Sequence, residues 1–221
     1  EETQLIPDSP YIVISQGADS KFAGITKTKR AVIDYMQGKV LFRSDNDNWN
    51  QIYTCDVVLP ENKLVISGIQ KTGTKAEKMT PKMAVYDLNT GKLDYSFFLD
   101  KPGRVGVGKD FSVTGTPLLL KDFLIIPTAQ GLIAKSHSGE ELWKNKIKRV
   151  NWLVADDTEK EIYGFEVSAT GKNTKIHKVG PNGEELWEDE RKVKGVVSKF
   201  EILPQGLAVV SNVYGGNGAF A

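Results

Sequence analysis

The chain has 221 residues, 40% of them hydrophobic and 26% charged, ordinary values for a globular protein long enough to bury a sizeable core. Lys and Arg total 29 against 28 Asp and Glu, so no overall charge excess draws the chain to nucleic acid or to an anionic membrane. No apolar run approaches the ~20 residues that span a bilayer, and a lone cysteine, Cys55, excludes an internal disulfide.

In chain order, residues 1–44 predict four short strands: Leu5-Ile6, Tyr11-Ile12-Val13-Ile14-Ser15, Ala31-Val32-Ile33-Asp34-Tyr35 and 39–44. The turns between them are Pro7-Asp8-Ser9-Pro10, a polar loop holding Gly17 and Asp19, and Gln37-Gly38. The stretch 45–100 repeats the plan with strands at 52–59, Leu64-Val65-Ile66-Ser67, Met83 to Leu88 and 92–99, and a long loop at 71–82. In 101–148 the expected strands are 111–120, Phe123-Leu124-Ile125-Ile126, Leu132-Ile133-Ala134 and Leu142-Trp143. In 149–192 they are 150–155, 162–167, 174–179 and 184–191. The last stretch, 193–221, supplies two, around Phe200 to Leu203 and Leu207 to Ser211. Short β-branched runs cut by Gly, Pro and Asp are strand and hairpin signals, and no long apolar 3.6-residue period argues for a helix.

One phrase recurs through these units. Gly139-Glu140-Glu141-Leu142-Trp143 returns as Gly183-Glu184-Glu185-Leu186-Trp187, and in looser form as Gly91 to Tyr95 and Gly38 to Phe42. The glycines stand 53, 48 and 44 residues apart, a period of repeat architectures. Four antiparallel strands per unit is the plan of a β-propeller blade. Glycine suits the third turn because two-residue hairpin turns need positive φ. The aromatics Phe42, Tyr95, Trp143 and Trp187 are expected on the outermost strands, packed between neighbouring blades. The fold class is therefore all-β, a single partial propeller of about four and a half blades (1–44, 45–100, 101–148, 149–192 and an incomplete 193–221). It is expected as an open arc belonging to a ring of seven or eight.

On these residues the chain resembles the quinoprotein-type (PQQ-like) repeat family of β-propellers. The family repeat reads roughly Ala-x-Asp-x-x-Thr-Gly-x-x-x-Trp. Val85-Tyr86-Asp87-Leu88-Asn89-Thr90-Gly91, closing at Tyr95, matches with Val for Ala and Tyr for Trp. Gly131-Leu132-Ile133-Ala134 with Gly139 and Trp143 matches the rest with a shortened turn. The resemblance implies a propeller, but it does not choose among the family's dehydrogenases, its sensor domains and its periplasmic scaffold subunit of the outer-membrane β-barrel assembly machine.

The resemblance also implies what to look for. Its dehydrogenases use a quinone and calcium, often beside adjacent cysteines, and Cys55 alone cannot supply that pair. No cofactor, metal or catalytic residue is expected. Gly103-Arg104-Val105-Gly106-Val107-Gly108-Lys109-Asp110 approaches a phosphate-binding loop. It has Asp110 where Ser or Thr would hold the metal, and a strand pattern where a helix should follow. His137 reads as a turn residue and His177 as an exposed or edge residue, neither at metal-ligand spacing. Cys55, in an apolar strand pattern, is expected to be a buried, unreactive thiol. The loop carrying Lys71, Lys75, Lys78 and Lys82 reads as solvated.

One constellation remains as a candidate partner-binding face. Trp49 and Trp152 follow Asn48 and Asn151 in connections leading into a unit's first strand, and Arg104, Lys109 and the loops 16–28, 71–82 and 168–173 are expected on the same side. Filling gaps between blades is the competing reading for both tryptophans, and the favoured one. The expected function is a non-catalytic binding or scaffold propeller for an unknown protein or small ligand, not nucleic acid. Opening on Glu1 rather than Met, together with the resemblance, it is expected in the periplasm or outside the cell. The alternatives are an enzyme whose active site lies outside this segment, and a ligand-sensing propeller fused to a signalling or membrane domain.

Overall fold

The computed structural model describes residues 2–17, 28–71, 79–99 and 113–213. Among them are eighteen strands and no helix, hence no helix able to cross a membrane. Four sheets have four strands each, every strand pairing antiparallel with its neighbour in sequence. The first holds β1 (Glu2–Leu5), β2 (Tyr11–Gly17), β3 (Thr28–Asp34) and β4 (Lys39–Arg43). The second holds β5 (Trp49–Val58), β6 (Lys63–Lys71), β7 (Met79–Asp87) and β8 (Lys92–Phe98). The third holds β9 (Leu118–Leu119), β10 (Phe123–Thr128), β11 (Gly131–Ser136) and β12 (Glu141–Lys144). The fourth holds β13 (Trp152–Ala155), β14 (Ile162–Val167), β15 (Asn173–Val179) and β16 (Arg191–Lys194). β17 (Val196–Leu203) and β18 (Gly206–Asn212) form a two-stranded sheet.

The chain divides into two compact units, one of residues Glu1–Val113 with His137–Glu140, the other of Thr114–Ser136 with Glu141–Ala221. In each, the middle strands are buried on both faces, which is why they read as continuous apolar runs rather than as alternation. Leu64, Val65 and Ile66 on β6, Leu124, Ile125 and Ile126 on β10, and Ile162 and Tyr163 on β14 are fully buried. The cores lie between consecutive sheets. In the first unit Tyr11, Val32 and Phe42 pack with Trp49, Leu64 and Tyr86. In the second, Ile125, Leu132 and Ala134 pack with Leu153, Ile162 and Val179, and Tyr163, Phe165 and Ile176 pack with Val197. Each large aliphatic side chain so buried contributes about 1.5–3 kcal/mol.

The turn inside the best-matching repeat shows how the sequence fixes it. Asp87 Oδ1 accepts from Thr90 N at 2.9 Å and from Thr90 Oγ1 at 3.0 Å, while Lys63 Nζ donates to Asp87 Oδ2 at 2.9 Å and to Asp94 Oδ2 at 2.6 Å. The Lys63 ammonium, then the turn's N–H, hold the Asp87 carboxyl down to about 2. The four repeated glycines, Gly38, Gly91, Gly139 and Gly183, all have positive φ, from 63° to 88°.

Several strands depart from expectation. β1 precedes Ile6, whose N–H instead closes the turn on Tyr11 O. Of the expected run 111–120, residues 111 and 112 lie outside the described residues, and among the rest only β9 forms a ladder, with Val113 in an isolated bridge. The largest departure is in the fourth sheet. After the bridge Val179↔Glu185 the chain leaves the ladder and rejoins only at Arg191, opposite Ile176. The outer strand is thus β16, not 184–191, and Trp187 lies in the interruption. It packs edge-on to Tyr163 at 5.9 Å, with the Arg191 guanidinium 5.9 Å from its ring. Cys55 is half-buried against the first-unit core, and burial, helped by the Asp56 charge, pushes its thiol up to about 12.

Candidate functional site

The residues expected on a partner face are placed differently. Trp49 opens β5 with 9% exposure and is part of the first-unit core. Its Nε1 donates to Tyr86 Oη at 3.4 Å, and Tyr86 Oη donates to Asp47 Oδ2 at 2.5 Å. The indole therefore fills a gap, with its polar atom satisfied inside. Lys82 is not solvated: it lies within β7, 9% exposed, its Nζ 5.5 Å from the Trp49 ring centre and 5.8 Å from that of Phe98. Burial lowers its ammonium from the usual lysine range, against the pull of Asp47. Trp152 opens β13, half-buried, and stacks on Phe165 at 5.1 Å. Trp49 and Trp152 belong to different units, and Arg104 and Lys109 lie outside the described residues, as does the whole phosphate-loop-like stretch 103–110.

The structural aromatics find different partners. Phe42 is buried and meets Tyr86 edge-on at 4.9 Å. Tyr95 stacks on His137 at 4.6 Å, and burial raises its hydroxyl well above the usual tyrosine range. Trp143 is half-buried in the second unit, its Nε1 donating to Pro181 O at 2.8 Å.

The arrangement with the most chemical potential was not expected from the sequence. His177, on β15, is 5% exposed rather than exposed or on an edge. Its Nδ1 lies 3.0 Å from Glu185 Oε1 and its Nε2 3.4 Å from Glu166 Oε2. An imidazolium donates to both carboxylates, a neutral ring to one only. The interrupted outer strand makes this possible. Leu186 N still bonds Lys178 O at 2.8 Å, so Glu185 is held facing β15 before the chain departs. Lys175, two residues along β15, pairs with Glu190 at 3.2 Å in the same interruption.

Across from His177 runs the connection between β12 and β13. Asn145 pins it four ways. Its N–H donates to Leu132 O at 3.0 Å, its Oδ1 accepts from Leu132 N at 3.3 Å and Ile147 N at 3.1 Å, and its Nδ2 donates to Gly183 O at 3.2 Å. Ile147 and Val150 turn into the core, 7% and 1% exposed, and Arg149 takes a positive φ of 59°. Lys146, Lys148 and Arg149 are consequently left exposed. Among the described residues these three and Lys144 form no ion pair, and Lys144 Nζ bonds only Gln130 Oε1, at 3.0 Å.

Two clefts flank this ridge. One, of about 450 Å³, runs from Lys146, Lys148 and Arg149 to Lys175 and the His177–Glu166–Glu185 floor. The other, of about 740 Å³, lies between the ridge and Gln130, and shares Asn145, Lys146 and Lys148 with the first. No group of three His, Cys, Asp or Glu placed to hold a metal occurs among the described residues. What the site offers is unpaired positive charge on a pinned backbone, beside a hydrogen-bonded floor built on a buried histidine. A signal was present in the sequence, since Lys144-Asn145-Lys146-Ile147-Lys148-Arg149 places four cations in six residues. The partners of His177 carried no such local signal, because strand pairing brings them together.

No protein-family model matches the chain, and no curated protein matches it. Among solved structures it is similar to the β-propeller domain of the trilobed protease from Pyrococcus furiosus, described as having an open velcro topology, with a TM-score of 0.56 and 12% identity over 100% of this chain and 67% of that one. This chain has a β-propeller fold. It is also similar to Kuenenia stuttgartiensis hydrazine synthase, with a TM-score of 0.51 and 12% identity over 96% of this chain and 55% of that one. The chain thus spans about half the length of that hydrazine synthase chain. Identity this low carries the propeller fold and nothing of either protein's activity. In propeller terms, β9–β12 and β13–β16 are consecutive blades, and the basic ridge is the connection between them.

Proposed function

We propose that this propeller is a non-catalytic binding or scaffold module, exported from the cytoplasm and related to the quinoprotein-type repeat proteins. The observation that carries the reading is the ridge 144–149: four cations without an ion-pair partner among the described residues, on a backbone pinned by Asn145. Cations held apart from counter-charges keep their electrostatic reach for a partner. Relationship to the quinoprotein-type repeats is supported by the Asp87-x-x-Thr90-Gly91 turn, whose Asp and Thr side chains bond each other and the backbone.

The test uses the product of the complete gene. Photocrosslinking from a residue placed at Gln130, beside the ridge, should yield a discrete adduct in the periplasmic or extracellular fraction. The adduct should disappear in Lys146→Gln/Lys148→Gln. Recovery of the protein from the cytosol removes export. Turnover dependent on added quinone and calcium removes the non-catalytic reading.

A further inference from the structure

We infer that the ridge and its two clefts take an acidic peptide segment of a partner protein. The inference rests on the binding-module reading and specifies what is bound.

Size argues first. The two clefts share a wall formed by Asn145, Lys146 and Lys148, so an occupant of both must cross the ridge. A single phosphate or small carboxylate fills neither, whereas a peptide of several residues spans them. Spacing argues next. Lys144, Lys146 and Lys148 recur at every second residue. An extended peptide presents side chains on one side at the same interval, about 6.8 Å, so acidic residues two apart can meet successive lysines.

The floor then selects among polyanions. Glu166 and Glu185 hold His177 between them and still line the 450 Å³ cleft. A polyphosphate backbone carries only acceptors and is repelled there. A peptide brings N–H donors for these carboxylates as well as carboxylates for the lysines. No Phe, Tyr or Trp lines either cleft, so the stacking platform that single-stranded nucleic acid uses is missing from them. Charge complementarity of this kind acts chiefly on encounter rate and choice of partner, and weakens with salt.

The experiment measures anisotropy of a fluorescein-labelled 12-residue peptide of alternating Glu and Ser, with fluorescein-labelled heparin and an oligo-dT 12-mer as parallel probes. The peptide is expected to bind most tightly, to weaken as NaCl rises, and to lose at least about tenfold in affinity in Lys146→Glu/Lys148→Glu. Lys146→Gln/Lys148→Gln, a gentler change on exposed side chains, should lose less but in the same direction, and thermal melts of both variants should match the parent. Peptide affinity unchanged in both variants overturns the site. Tighter binding of heparin or oligo-dT that is lost in the variants overturns the peptide while leaving a binding module in place. Failure of all three probes to bind overturns both readings.

Discussion

The indole of Trp143 lies where a side chain on Gly183 would have to be. A Cβ at Gly183 would stand 2.5 Å from the ring's Cε3, and Trp143 Nε1 donates to Pro181 O two residues earlier. Here the aromatic of one copy of the recurring phrase rests on the glycine of the next. In the first unit a Cβ on Gly139 would meet the Phe97 side chain at 2.5 Å. Glycine serves two needs at these positions, positive φ and close approach.

Gly183→Ala should thus be destabilising on both counts, by about 1–3 kcal/mol in urea melts. Trp143→Ala should remove about 2–3 kcal/mol, less than the ~3–5 of a fully buried aromatic, since the ring is half-exposed. A Gly183→Ala protein as stable as the parent would show that the ring moves aside freely.

The blade plan was legible because it rests on local signals. Turn glycines, β-branched runs and the repeat period survive in one sequence. The fourth blade's outer strand was misplaced because 184–191 has the same apolar and aromatic phrase as 139–143, and only tertiary pairing shows that Trp187 leaves the ladder. Lys82 was expected in a solvated loop and instead lies buried within β7 beside the Trp49 ring. Trp49 fills a gap, because Tyr86 and Asp47 supply the buried polar partners that let an indole sit in the core. His177 depends on Glu166 and Glu185, which only strand pairing and the interruption bring to its ring.

Asp56 gives the stability a definite pH dependence. Burial raises its carboxyl from 3.8 to about 6, with the Thr54 hydrogen bond and the Arg30 charge opposing, and its Oδ2 has no hydrogen-bond partner. The folded state therefore favours the protonated acid. Its penalty is full above about pH 6, shrinks as pH falls towards about 4, and is absent below both values. Asp56→Asn should stabilise the protein by on the order of 2–3 kcal/mol at pH 7.5 and flatten its pH profile between 4 and 6. Denaturant melts across that window decide it, and a variant less stable at pH 7.5 would disprove the assignment.

Cys55 is a weak nucleophile in the folded protein. With its thiol near 12, the thiolate population at pH 8 is far below that of a free cysteine. Iodoacetamide should modify it about a hundredfold or more slowly in the native protein than in urea. Equal rates would place the sulfur in solvent.

His177 should matter to stability before it matters to any ligand. His177→Ala removes the ring held between Glu166 and Glu185 and should lower stability by about 1–2 kcal/mol, limited because Glu185 is 48% exposed and rehydrates. His177→Gln donates to one carboxylate and should recover part of the loss. Both variants melting with the parent would mean the carboxylates do not depend on the ring.

The last blade predicts self-association. Among the described residues β18 pairs only with β17, whereas each other sheet has four strands. Phe200, Val210 and Val213 on and beside this pair are 45%, 57% and 55% exposed. A strand edge without a ladder partner, beside apolar side chains, is a template for another strand. The 221-residue chain should therefore associate with rising concentration in sedimentation velocity. Val210→Lys should suppress this, because a charge on an edge strand resists desolvation when a second strand approaches. The substitution touches an exposed position, so the blade itself should melt as before. A parent chain that sediments as a monomer at every concentration would sink the prediction. So would association left intact by Val210→Lys, which would move the contact to another surface.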